Sequence, residues 1–223
     1  MGINIKSYTS LLDELNGKAT LIAVSKTKPV EDIQALYELG QRDFGENYVQ
    51  ELVDKEAVLP KDIRWHFIGH LQSNKVKYIS PFVYLVHGVD SINLLKEINK
   101  QAAKNNRVID CLLQVHIARE ETKFGFSGDE LENILNTNYN ELHELKNLEV
   151  RGLMGMASLS DDKELVRSEF TELKKLYSKF NIQHLKFNIL SMGMSSDYPI
   201  AIEEGSNMVR IGSLLFGERN YQH

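Results

Sequence analysis

Residues 21–29 read Leu-Ile-Ala-Val-Ser-Lys-Thr-Lys-Pro. An unbroken apolar run is the pattern of a strand buried on both faces, as in a parallel sheet covered by helices. The run stops at Ser25 and Lys26. Pro29 stands where a helix begins, because its fixed φ and missing N–H suit a first helical turn. Lys26 is thereby placed at the carboxyl end of a buried strand, where parallel α/β folds put their chemistry. A partly desolvated lysine amine there can lose its proton and attack a carbonyl. The same stretch also reads as a strand followed by a surface lysine, so its neighbours decide.

Outward from this stretch the unit repeats. Ile5, Tyr8, Leu11, Leu12 and Leu15 predict an amphipathic helix over 3–16 that ends at Gly17. Strands are predicted at 21–26, 43–47, 64–68, 83–89, 111–117, 150–156, 187–191 and 209–216. Helical segments fall between them: from Val30 to a stop at Gly40, then 47–57, 73–79 and 91–105. A capping box at Ser127 and Glu130 opens another to about 137, and one at Asp161 and Glu164 opens the next. The last spans 195–204, before Gly205. Strict alternation argues for a parallel sheet with crossover helices. Eight such units in 223 residues fit an α/β fold of one kind, a (β/α)8 TIM-type barrel with an extra N-terminal helix. An open doubly wound sheet is the competing fold. No linker or composition shift divides the chain, so residues 1–223 are expected to form a single domain.

Composition excludes several functions. The net charge is −5 and no strongly basic stretch exists, so no nucleic-acid partner is expected. No apolar run approaches a membrane span, and the amino terminus lacks the apolar core of a signal peptide. Cys111 is the only cysteine, which forbids an internal disulfide and suits a reducing cytoplasm. It reads as a small buried hydrophobe.

The ends of strands seven and eight of a barrel commonly hold a phosphate. Here strand seven runs into Ser191-Met192-Gly193-Met194-Ser195-Ser196-Asp197 and then a helix start, which offers free N–H groups. Strand eight carries Arg210-Ile211-Gly212-Ser213. Gly212 leaves its backbone open to an anion, and Arg210, two residues before it, faces the same side. Alone, the first motif is an N-cap and the second an ordinary strand. Joined to a strand-end lysine, they make a phosphate site beside a carbonyl-reactive amine. That suits pyridoxal phosphate, or a phosphosugar in an aldolase.

The segments AVSKTKP, FGENYVQE, WHFIGHLQSNK, SMGMSSDYPIAIEEG and MVRIGSLLFG resemble the pyridoxal phosphate homeostasis protein family, single-domain relatives of the alanine racemase barrel. The resemblance runs from about residue 20 to 217, in the family's order. It implies the fold-type III barrel of pyridoxal 5'-phosphate proteins, with the cofactor held as a Schiff base on Lys26. It implies further that Ser195, Gly212 and Ser213 bind the phosphate, that Arg210 approaches the pyridine nitrogen, and that Asn47 lines the ring. Guanidinium does not give up its proton, so the ring would be a weak electron sink, which disfavours extensive carbanion chemistry. A carboxylate in place of Arg210 is expected to weaken cofactor retention and leave the barrel folded. Strand five departs from the pattern: His116 stands where the family more usually has asparagine, and Lys123 keeps its lysine after Thr122.

The implied role is a cytoplasmic binding protein for cofactor homeostasis and amino-acid and keto-acid balance, without turnover. It is expected to be a monomer, with pyridoxal phosphate and cofactor-dependent apoenzymes as partners. Its first rival is a racemase-like enzyme, which would need a base on each ring face, one of them supplied in two-domain racemases by an extra β domain that is not expected here. The second is a Schiff-base aldolase. His66 and His70 are too far apart on a strand to chelate zinc, so no metal is expected. Glu203 and Glu204 read as a solvated helix end, and Asp43 and Glu46 as local caps or pairs. Lys28 either lowers the pKa of Lys26 by like-charge repulsion or is simply solvated.

Overall fold

A computed structural model describes residues 2–120, 124–137, 142, 144–181 and 186–217. Eight parallel strands close into a barrel in sequence order. They are β1 (Thr20–Val24), β2 (Asp43–Glu46), β3 (Arg64–Phe67), β4 (Leu85–Val89), β5 (Ile109–Val115), β6 (Leu148–Gly155), β7 (Ile189–Met194) and β8 (Met208–Ile211). The seam pairs Ile22 of β1 with Arg210 of β8, and Ala23 with Ile211. The open doubly wound alternative is thus excluded.

Alternation along the strands sorts the apolar residues into two clusters. Phe44, Phe67, Phe170 and Leu36 belong to the large cluster between sheet and helices. Ile22, Leu85, Leu112, Met154 and Met208 form a small one inside the barrel. Truncating a fully buried phenylalanine such as Phe44 would cost about 3–5 kcal/mol. An interior with so few apolar side chains leaves its remaining positions to polar ones.

Helices alternate with the strands. Helix α1 (Ile5–Leu15) precedes the barrel and buries Tyr8, Leu11 and Leu15. Helix α2 (Val30–Glu38) follows β1, and α3 (Val49–Val58) follows β2. The Ser127–Glu130 capping box is present in both directions. The second box is not: Asp162 Oδ1, rather than Asp161, accepts from the N–H groups of Glu164 and Leu165, at 3.1 and 3.2 Å.

Strand eight is shorter than its apolar run. It ends at Ile211, and Ser213–Phe216 is a short helix. The cause is packing: Leu215 and Phe216 are buried, and Leu215 O accepts from Asn4 N at 2.7 Å, just ahead of α1. Likewise Ser195–Asp197 forms a turn, and the following helix starts only at Tyr198. Among the described residues, no helix is long and apolar enough to cross a membrane.

Candidate functional site

The turn after β1 is fixed from the helix side. Ser25 is buried, and its Oγ donates to Glu46 Oε1 at 2.7 Å. Lys55 Nζ, reaching in from α3, donates to Ser25 O at 2.8 Å and to Glu46 Oε1 and Glu51 Oε1 at 2.7 Å each. Thr27 N donates to Glu51 Oε1 at 2.6 Å. Thr27 has φ +62°, a left-handed conformation that a β-branched residue adopts only under constraint. Burial pushes the Glu46 carboxyl up, while Lys55 and Ser25 pull it back. Half-buried Lys26 follows in the turn at the carboxyl end of β1, at that mouth of the barrel. The amine is thus carried on a turn that three charged side chains immobilise.

The strands on either side bring the other candidates next to it. Val24 pairs with Gly45, and Ser25 N donates to Gly45 O at 3.0 Å, which carries the β2 exit at Asn47 alongside Lys26. Asn47 Oδ1 is buried and makes no hydrogen bond among the described residues. A buried acceptor left unmade is costly, so this oxygen is available to a donor from outside the chain.

On the opposite flank, Gly212 N donates to Ser195 Oγ at 3.2 Å, joining the exits of β7 and β8. Gly193 turns that first exit with φ +96°, and Asp197 Oδ1 accepts from Met194 N at 2.6 Å. Gly212 differs from Gly193. Its φ is −119°, and an added Cβ would come no closer than 3.4 Å to Val24. Neither backbone nor packing demands glycine at 212, so what a side chain there would obstruct is access to the backbone N–H. Ser213 is exposed at the start of the short helix. Two hydroxyls and the Gly212 N–H, which here donates to one of them, are groups that fit a phosphate.

Arg210 lies deeper. Its Nη1 donates to Ser191 O at 2.9 Å and Ser191 Oγ at 2.7 Å, and its Nη2 to Gly155 O at 3.0 Å. Burial lowers its pKa to about 10 while Asp197 opposes, and it stays charged at neutral pH. At 4% exposure it is a core group. A glutamate there would set a buried carboxylate against two carbonyls, so the barrel would not tolerate that substitution as the sequence reading expects.

The remaining candidates sort themselves. Lys28 neither faces Lys26 as a free charge nor is merely solvated: its Nζ donates to Phe216 O at 2.8 Å and Gly217 O at 3.3 Å, tying β1's exit to β8's. His116 Nε2 contacts Glu120 O at 2.9 Å. Thr122 and Lys123 lie outside the described residues. His70 pairs with Asp90 at 2.9 Å while His66 lies inside the barrel. No group of three or more His, Cys, Asp or Glu is placed to hold a metal among the described residues. Glu203 and Glu204 both bind Arg167, clamping two helices together instead of capping into solvent. Cys111 is buried and its thiol pushed well up by burial.

The sequence reading missed Lys55, His87 and Ser191. Lys55 occupies a surface-type position on an amphipathic helix, and only Glu51, four residues earlier, marks it. His87 and Ser191 touch at 3.2 Å across 104 residues, a pairing no local pattern carries. A cleft of about 470 Å³ opens at the opposite, amino-terminal mouth. It is lined among others by Thr20, Asp43, Arg64, Asp110 and Arg151. There Arg64 pairs with Asp43 and Arg151 with Asp110.

Comparison with known proteins identifies the family and the fold. The family model described as alanine racemase, N-terminal domain, matches residues 4–220. The pyridoxal phosphate homeostasis protein of Aquifex aeolicus is 44% identical over 205 residues, covering 91% of this chain and 88% of the relative. PipY of Synechococcus elongatus PCC7942 has been solved without PLP (35% identity, TM-score 0.88) and with PLP bound (34%, TM-score 0.85). Each comparison covers 95% of this chain and 99% of PipY. The alanine racemase of Clostridium difficile 630 shares the fold at TM-score 0.81 and 16% identity, with 99% of this chain matching 59% of the racemase.

Proposed function

This chain belongs to the pyridoxal phosphate homeostasis proteins, a family built on the alanine racemase N-terminal domain, and on that premise we propose that it binds pyridoxal 5'-phosphate at the carboxyl-end mouth of its barrel. The observation that carries this reading is the Ser195 hydroxyl and uncrowded Gly212 N–H, 3.2 Å apart, at the exits of β7 and β8, the latter paired with the strand that leads to Lys26. When bound, the cofactor supplies an aldehyde carbon and an electron-withdrawing ring. Lys26 adds its amine to that carbon with release of water, holding the cofactor as a Schiff base. Ser195, Gly212 and Ser213 hold the phosphate, Asn47 lines the ring, and Arg210 faces the pyridine nitrogen as a donor that keeps its own proton.

The whole chain, residues 1–223, acts as one binding unit in this reading. Its role is to hold and release cofactor in the cytoplasm, as a monomer, with apoenzymes as recipients. Support for a non-catalytic role comes from the shared name of the relatives. An enantiomer assay should show no alanine racemisation above the rate with free cofactor, and turnover that disappears in Lys26→Ala would overturn this.

The test of the binding site is a pair of titrations followed by absorbance, one with pyridoxal 5'-phosphate and one with pyridoxal. The phosphate ester should bind at least about tenfold more tightly, a difference of about 1.4 kcal/mol. Ser195→Ala should narrow that gap. Equal affinities for the two compounds would remove the phosphate assignment.

A further inference from the structure

A chain of hydrogen bonds crosses the barrel interior from one mouth to the other. Arg210 Nη1 donates to Ser191 Oγ at 2.7 Å, and Ser191 Oγ lies 3.2 Å from His87 Nδ1. His87 Nε2 lies 3.0 Å from His66 Nδ1, and His66 Nε2 lies 3.0 Å from Asp43 Oδ1. Asp43 in turn takes Arg64 Nε at 2.7 Å, at the rim of the amino-terminal cleft. His66, His87 and Ser191 are wholly buried.

The direction of every bond follows from its ends. Burial raises the Asp43 carboxyl, but its bonds to Arg64 and His66 more than offset this, so it is ionised and only accepts. His66 therefore donates through Nε2. Burial lowers its pKa against the pull of Asp43, so the ring is neutral and its Nδ1 is bare. That nitrogen accepts from His87 Nε2–H. His87 is also neutral, held well down by burial and then by His66 and Arg210, and its bare Nδ1 accepts from the Ser191 hydroxyl. Ser191 Oγ keeps its lone pairs for the guanidinium. Any other tautomer sets two donors or two acceptors face to face, which a dry interior penalises.

We propose that Asp43, His66, His87 and Ser191 are positioning residues for Arg210, a one-way hydrogen-bonded chain anchored at the amino-terminal mouth that aims the guanidinium at the cofactor end of the barrel. Ser191 and Gly155 engage both of Arg210's Nη1 hydrogens and one on Nη2. Nε–H and the other Nη2–H are left for the ring nitrogen. The distant carboxylate polarises the chain so that Ser191 is a better acceptor than a lone serine, and this offsets part of the desolvation of the buried cation. The inference rests on the carboxyl end being the cofactor site, although the chain itself is a property of the protein alone.

The two can be tested apart. In the wild-type protein without ligand, 15N NMR of the imidazoles should show His66 and His87 both neutral and both protonated at Nε2. An Nδ1–H tautomer or a charged ring at either position overturns the chain. Cofactor affinity is then measured for His87→Phe, which breaks the chain, and for His87→Gln, whose amide offers one donor and one acceptor in a similar place. His87→Phe should weaken binding by about tenfold, as loss of a supporting hydrogen bond commonly does, and His87→Gln should recover most of it. Wild-type affinity in His87→Phe overturns the positioning role. Should His87→Phe fail to fold, the isosteric Asp43→Asn at the amino-terminal end of the chain replaces it: a shift of the His87 15N signals with weaker binding supports the chain, and an unchanged affinity overturns it. A wild-type protein that takes up no cofactor would instead defeat the binding reading, with the imidazole spectrum still deciding the chain.

Discussion

The two mouths of the barrel differ in how their polar groups are occupied. At the amino-terminal mouth, beside the 470 Å³ cleft, the charges satisfy one another: Arg64 with Asp43, and Arg151 with Asp110 at 2.8 Å. At the carboxyl-terminal mouth, among the described residues, Asn47 Oδ1 is buried without a partner and neither φ nor packing requires glycine at Gly212. The cleft lies at the first mouth, and the buried unpaired oxygen and the uncrowded glycine at the second. A buried polar group left unmade costs about 1–3 kcal/mol, so an outside donor to Asn47 Oδ1 would be favoured; Glu46 Oε2, on the helix side, is likewise unpaired among the described residues. This contrast supports the proposal that the carboxyl end is the binding end and the amino end scaffold.

The sharpest way to break that contrast is Lys26→Ala. Cofactor fixed by borohydride should fall to nothing, while stability, read by urea denaturation, should move by about 1 kcal/mol or less, because Lys26 is only half buried. Fixation surviving the substitution would place the reactive amine elsewhere.

Next in size is Lys55→Met. It strands Glu46, whose side chain is fully buried, and should cost about 3–5 kcal/mol in a urea titration at neutral pH. The Glu46 carboxyl is already held above its ordinary range by burial. A raised acid pKa means the folded state binds the extra proton, so this variant's loss should shrink as pH falls. A loss independent of pH would mean that Glu46 does not carry the charge.

The two glycines at the carboxyl mouth give a paired test. Gly193→Ala meets a φ of +96° and a contact of 2.6 Å with Ala201, and should destabilise by about 1–3 kcal/mol. Gly212→Ala should leave stability within about 0.5 kcal/mol and weaken cofactor binding. If Gly212→Ala binds as wild type does, the space above it is not the phosphate site.

The smallest effect belongs to the amino mouth. Arg151→Ala removes a pair whose partners are each more than a quarter exposed, so stability should drop by about 1 kcal/mol or less, with unchanged cofactor affinity in dialysis. Asp43 should show a different signature in acid. Its folded pKa is below the ordinary value of 3.8, so it contributes stability above that pH, lost as pH falls through the folded value. Asp43→Asn should flatten that limb of the acid denaturation curve.

Much of this was legible in the chain itself. Apolar runs separated by helical periodicities are enough for a (β/α)8 barrel, since each buried strand and each crossover helix writes its own period. Lys26, Ser195, Gly212 and Arg210 stand out because strand ends and glycine turns are local signals. Boundaries blur where an apolar run serves two elements: Leu214, Leu215 and Phe216 extend strand eight in the sequence but fold into a short helix against α1. Lys55 and the Asp43–His66–His87–Ser191–Arg210 chain are hidden for another reason. Lys55 depends on the pairing of β1 with β2, and the chain on barrel closure, which brings β2, β3, β4, β7 and β8 onto one interior; no spacing in the sequence encodes either. Arg210 was readable as a site residue but not as a buried one, because its burial is set by β7 and by Gly155 of β6.

The most direct test of the central claim is the site of attachment. Wild-type protein is incubated with pyridoxal 5'-phosphate, reduced with borohydride, digested, and sequenced by mass spectrometry with fragmentation that separates Lys26 from Lys28. The reduced cofactor should appear on Lys26 alone, at one per chain. Label on Lys28 or any other lysine, or no label at all, would contradict the account.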